Sequence, residues 1–421
     1  MRAVDIFTPG KLPTVTLVRD QIERRKQDLQ DALDQQLLVT ISGPSKSGKT
    51  VFVKSLVGAG NIIAVTGAGV ESPQHLWTKA FHAVGTTIPT SVSSETNSLV
   101  GGSVSAKGEV GIVIAKKELS GSISGSIGSK AVEAASNPVD LLQLLVKEFA
   151  GSGFVIFIDD FHYIPRDVQP AVAAQIKDAI ASGVQIVCAS VPYHSEDLLR
   201  ANQDLQGRIF AIDFDYWDTD ALMKIGEQGF VELNIEVERD LLRAFAGEAA
   251  GSPQLMQSIC LNASFELGAR QKLDTKLHVE FGGELVRRIC NRTSSADFSS
   301  TIERCSEGPK TRGTDRKSFR LADGDVGDVY ACVLRAIASD PPQLRFLYAD
   351  LLARIRGVVE AGQETPSGSS TSGACLHIAQ LANDGQPKQI IEWDSHRETL
   401  DVRDPYLLFY LRWSDTVRKL S

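Results

Sequence analysis

One octapeptide limits this chain more than any other stretch. Gly43-Pro44-Ser45-Lys46-Ser47-Gly48-Lys49-Thr50 follows the apolar run Leu37–Ser42 and precedes a segment from Val51 that reads as a helix. The octapeptide fits G-x-x-x-x-G-K-[ST], and the flanking strand and helix supply the context that pattern requires. Glycines let the backbone turn so that consecutive N–H groups face one anion. A helix beginning after Gly48 points its positive end at the same place. Lys49 then reaches phosphate oxygens as a compact cation, and the Thr50 hydroxyl is a ligand for Mg²⁺. The candidate nucleotide contacts are therefore Gly43 through Val51.

A second apolar run, Phe154–Ile158, ends in Asp159-Asp160. A buried strand that terminates in acids delivers carboxylates to the carboxyl edge of a parallel sheet, where ligands of α/β folds sit. Asp159 is read as the metal-side acid and Asp160 as the group that orients or deprotonates the attacking water. His162, just beyond them, is read as structural.

Further short apolar runs at Ile62–Thr66, Val184–Ala189 and Ile209–Phe214 alternate with helical segments, which argues for a parallel sheet covered by helices. Between Thr86 and Ser136 the composition changes. Val and Ile alternate there with Gly and Ser, which suits a β-hairpin inserted at about 90–135 better than a random linker. After Trp217 the strands stop and helices are expected over 219–230, 236–247, 253–267 and 274–289. Residues 296–325 read as a polar linker, with six Lys/Arg against three acids in 303–321. From 326 the order is three helices, a strand pair and a last helix, Tyr406–Trp413.

Bulk properties exclude some functions. The 421 residues carry a formal charge of -8, which disfavours general coating of nucleic acid. The six cysteines form no CxxC pair and no metal-ligand spacing, so reduced thiols in a cytoplasmic protein are expected. The first fifteen residues lack the apolar core of a signal peptide, and no run is long enough to span a bilayer.

Together, SGPSKSGKT, IFIDDFHYI, VQIVCAS, GRIFAIDF and AGSPQLMQSIC resemble the AAA+-related STAND ATPases and their archaeal and origin-recognition-like relatives. The resemblance covers about 5–270, more loosely the rest. It implies an α/β P-loop NTPase core over 1–215, a helical lid over 216–295 and a C-terminal winged-helix domain over 326–421. It also implies ATP and Mg²⁺ as cofactors. Ser190 matches the polar residue that reads the γ-phosphate. Arg208 matches an arginine that acts on a neighbour's nucleotide, and Pro253 the lid proline near the adenine. The second acid is Asp160 where most AAA+ proteins carry Glu, and no second sensor arginine follows Gly251-Ser-Pro253. Both departures are those of switches rather than motors.

The implied function is a slow, regulated ATPase switch that assembles with itself or with a separate effector, through the hairpin or the winged helix. The resemblance sets it in bacterial signalling or antiphage defence. The alternative is a DNA-binding ATPase of the replication-initiator or transposition-helper type. The winged helix's third helix, Thr371–Ala382, has no Lys or Arg, and 327–421 holds ten basic and twelve acidic residues. Phosphate contacts dominate DNA affinity, so that composition favours protein packing.

Overall fold

The computed structural model describes residues 1–58, 60–85, 92–93, 136–137, 140–191, 197–294, 298–310, 316–386 and 389–414, with side chains 19–22, 24, 92–93 and 136–137 excepted. It divides into two compact units. One holds Gln27–Ser42 and Leu56–Ile212; the other holds Met1–Lys26, Gly43–Ser55 and Asp213–Ser421.

The first unit is built on the expected sheet. Five strands lie in the spatial order Ile62–Thr66, Val155–Asp159, Gln185–Ser190, Leu38–Ser42, Ile209–Asp213. The ladders between the first four are parallel. The two central strands carry buried side chains at nearly every position, the mark of a sheet covered on both faces. Register decides where the chemistry falls. Ser42 pairs with Ser190, and Thr66 pairs with Asp159, so these strands end together at one edge. Trp77, Phe81, Phe149 and Ile176 from the flanking helices pack with Ile156 and Ile186 into one core.

Apart from residues 92–93, the insert expected at 90–135 lies outside the described residues. Its base is present: Val92–Ser93 pairs antiparallel with Ser136–Asn137.

The second unit contains two cores. The first gathers Ile6 and Phe7 with Leu222, Phe245, Met256 and Ile289 of the helices after Asp218. Helices begin at Thr219, Arg239, Pro253 and Gly283, each of them near an expected start except the last. The expected helices at 236 and 274 instead open with the strands Ile235–Val237 and Leu277–Val279, which pair in parallel. Alternating Ile235, Val237, Leu277 and Val279 fit a strand period that a helical reading had absorbed. The N-terminal stretch carries a short helix, Ala3–Ile6.

The last core is C-terminal and combines Cys332, Ile337, Phe346, Ile378, Leu400 and Leu407. A helix at Val329–Ala338 is followed by the strand Arg345–Leu347, helices Tyr348–Val358 and Gly368–Asn383, and the strands Ile391–Asp394 and Thr399–Val402. The three strands form one antiparallel sheet with Thr399–Val402 in the middle. The strand at 345–347 is an addition to the expected strand pair. Residues 296–325 also differ from the expected linker. They hold the helix Ser299–Glu307 and the strand Phe319–Arg320, and Ile302, Cys305, Phe319 and Leu321 are buried in this core. Four apolar side chains scattered through a polar sequence were enough to anchor it.

Candidate nucleotide-binding site

The loop leaves the carboxyl end of Leu38–Ser42 and runs straight into the helix Lys49–Val57. Two of its residues have left-handed backbone, Lys46 at φ 62° and Gly48 at φ 98°. That alternation turns peptide N–H groups toward one side, the arrangement of an anion nest. Gly43 is required for another reason: a Cβ there would stand 2.6 Å from Cβ of Phe214. Lys49 is 9% exposed, and its ammonium donates to the carbonyls of Gly43 at 2.7 Å and Pro44 at 2.8 Å. It is thus held inside its own loop.

The loop is gripped from within its own unit. The indole N–H of Trp217 donates to the carbonyl of Ser47 at 3.0 Å, and the Trp217 backbone N–H donates to Gly251 at 3.0 Å. Gly251 has φ 82°, and a Cβ there would meet Tyr216 at 2.6 Å. Ser252 caps the next helix by accepting from Leu255 N–H, and Pro253 takes its first position. The expected Gly-Ser-Pro turn is therefore present, and Trp217 joins it to the loop. Sequence reasoning had used Trp217 only as the point where strands stop. Its signal was an aromatic pair, Tyr216-Trp217, at a domain junction.

Lys46 is tied as well. Its ammonium lies 2.6 Å from Oδ1 of Asp404 and 4.2 Å from the ring centroid of Tyr406. Asp404 caps the last helix, Pro405–Trp413, accepting from the Tyr406 N–H at 2.9 Å. The Tyr406 hydroxyl meets Ser258 Oγ at 2.7 Å, and burial raises its pKa.

The acids belong to the other unit. Asp159 closes its strand, with Oδ1 accepting from the Asp160 N–H at 3.0 Å. Asp160 has φ 56°, a strained conformation for a non-glycine residue and one that concentrates at functional sites. Gly67 makes room for this turn: a Cβ on it would stand 2.6 Å from the Asp160 carbonyl. Ser190 ends the strand that lies between that of Asp159 and that of Ser42. The sheet therefore brings Ser42, Ser190 and Asp159 to one edge.

Arg208 is elsewhere. It precedes the edge strand, and its carbonyl accepts from Leu38 N–H, at the amino end of the loop strand. That is roughly 13 Å of strand from Ser42. Its side chain is exposed there.

The donors fit Mg²⁺. A hydroxyl at Thr50 and a carboxylate at Asp159 are hard oxygen ligands, and Mg²⁺ is commonly held by one or two such groups plus phosphates and water. Among the described residues no group of three or more His, Cys, Asp or Glu could hold a metal alone.

The fold has solved counterparts. The Walker-type ATPase PABY2304 of Pyrococcus abyssi is similar at 13% identity, covering 96% of this chain and 100% of that one, with a TM-score of 0.51. This chain has the fold of a Walker-type ATPase. Similarity also extends to the ORC2 protein of Aeropyrum pernix, with ADPNP and ADP bound (11% identity, 99% and 96% covered, TM-score 0.47). A third counterpart is Cdc6p of Pyrobaculum aerophilum (12%, 99% and 98%, 0.43). No protein family and no curated protein matches the sequence. Among the described residues no helix is long and apolar enough to cross a membrane.

Proposed function

We propose that this Walker-type fold binds and hydrolyses ATP and uses the occupancy of its phosphate loop as a switch. The observation that carries the reading is the grip of Trp217 on Ser47 and Gly251. A change in the loop is felt at once by the Gly-Ser-Pro turn that starts the lid helix.

The loop amides and Lys49 would hold the phosphate oxygens, and Thr50 and Asp159 are the residues that would hold Mg²⁺, which would supply charge neutralisation at the phosphates. Asp160 orients water toward the γ-phosphorus and takes its proton. The bond from that phosphorus to the β–γ bridging oxygen breaks, leaving ADP and phosphate. Ser190 hydrogen-bonds the γ-phosphate, and Pro253 packs near the adenine. The element order after Val329, with its three-stranded sheet, supports a winged helix serving as a protein-packing module. Arg208, exposed beside the amino end of the loop strand, serves a nucleotide on a second copy of the chain. The partner is a separate effector or another copy of the chain.

The test is nucleotide binding by Lys49→Ala, which should weaken it at least about a hundredfold; undiminished binding refutes the assignment. Asp160→Asn should bind ATP normally and hydrolyse it at least about tenfold more slowly.

The alternative is DNA binding through the basic residues of 303–321. Arg304, Arg316, Lys317 and Arg320 are paired with Asp384, Asp328, Glu364 and Glu360. The helix Gly368–Asn383 has no Lys or Arg. Retention on DNA at low salt that weakens steeply with added salt would support that reading.

A further inference from the structure

Lys46 is one of the four variable positions of the phosphate loop, yet its charge is committed to a residue 358 positions away in the sequence. The pair is partly buried, with side chains 26% and 22% exposed, and Tyr406 stacks beside the ammonium. The same Asp404 oxygen caps the last helix. A charge placed on the loop is thereby transmitted to the start of the C-terminal helix through a single carboxylate.

We propose that Asp404 is a positioning residue for the phosphate site: by engaging Lys46 it sets how strongly the loop prefers a nucleoside triphosphate over a diphosphate. The inference rests on the reading that this loop holds a polyphosphate. The loop has two cations, Lys46 and Lys49. With Lys46 paired, one of them is already neutralised. A triphosphate brings one more negative charge than a diphosphate, so it loses more from that arrangement. It also gains more by drawing Lys46 away. Occupancy by the diphosphate therefore leaves the pair closed, whereas the triphosphate works against it. By linkage, opening the pair strengthens triphosphate binding by the same factor as the triphosphate favours opening.

Asp404→Asn isolates the charge, because Asn caps a helix as well as Asp does. Binding of a slowly hydrolysed triphosphate analogue and of ADP, both with Mg²⁺, is measured by calorimetry. The variant should raise the preference for the triphosphate by about five- to tenfold, within the usual range of coupling between sites. In a Lys46→Gln background the same substitution should change the preference less than twofold. An unchanged preference in Asp404→Asn overturns the proposal, and so does an equal effect with Lys46 absent, which would mean that the carboxylate repels phosphate directly. A merely structural cap predicts no change in preference. Asp404→Ser, also a good cap, gives an independent variant should the first prove unstable. Lys49→Ala separates the two levels: if it binds nucleotide undiminished, the phosphate site itself is misplaced; if it abolishes binding while Asp404→Asn shifts nothing, only the proposal fails.

Discussion

Arg412 and Glu248 form a buried, two-point ion pair. Nε and Nη2 of the arginine donate to the two carboxylate oxygens at 3.0 and 2.8 Å, and the side chains are 8% and 12% exposed. The Trp413 indole donates to the same carboxylate at 2.6 Å, and Asp340 adds a second, exposed acid. The pair joins the last helix to the helix Arg239–Glu248. Removing one partner leaves a desolvated charge behind, so Arg412→Ala should destabilise the unit by about 3–5 kcal/mol. Replacing both residues by Met and Leu should cost much less. Denaturant titration of the single and double variants checks the difference.

Gly43→Ala should damage the phosphate loop from within. The added methyl meets Cβ and the carbonyl of Phe214 at 2.6 and 3.0 Å, atoms that cannot swing aside. Overpacking of this kind costs about 1–3 kcal/mol. Nucleotide affinity, read by calorimetry, should fall roughly tenfold or more while the far-ultraviolet spectrum is unchanged.

Gly67→Ala should separate hydrolysis from binding. Its methyl would push on the Asp160 carbonyl at 2.6 Å and Cα of Phe161 at 3.1 Å, shifting the acid turn and leaving the loop alone. Misplacement by an ångström can cost about a hundredfold in rate. Turnover should therefore fall by at least about tenfold with nucleotide affinity within about threefold of the parent. Equal losses of both would show that the acids are needed to bind.

The thiols give a pH prediction. All six cysteines are free and buried. Burial pushes Cys332 up to about 11 and Cys305 and Cys375 up to about 12 from an ordinary 9.0, and raises the other three as well. The unfolded chain loses these protons first, so it binds fewer of them above pH 9. Stability from these groups is complete below that pH and declines as pH rises toward the folded values. Each thiol contributes a slope of about 1.4 kcal/mol per pH unit in that window. Denaturant midpoints measured from pH 8 to 10.5 should fall progressively. At pH 7.5 a thiol reagent should label the native chain slowly and the unfolded chain rapidly.

Much of this site was legible because its parts are local. A strand, a glycine-bounded loop and a helix start are written contiguously from Leu37 to Val57. A strand ending in two acids is equally compact. What stayed hidden depends on residues that meet across long sequence separations. Nothing near Lys46 announces Asp404, and nothing near Ser47 announces Trp217. The helix Ser299–Glu307 was missed because its sequence is polar except at Ile302 and Cys305, whose burial depends on a core supplied later in the chain. The strands at 235–237 and 277–279 are three residues each, too short to outweigh the helical pattern that follows.

The shared edge at Ser42, Ser190 and Asp159 makes strand length itself a functional quantity. One residue added within Leu38–Ser42 would carry the loop forward by about 3.3 Å and turn every following side chain of that strand to the opposite face. Residues added in the Val92–Asn137 excursion would leave that alignment untouched. Evolution of such a chain is thus free to lengthen its excursions while the spans of its inner strands stay fixed.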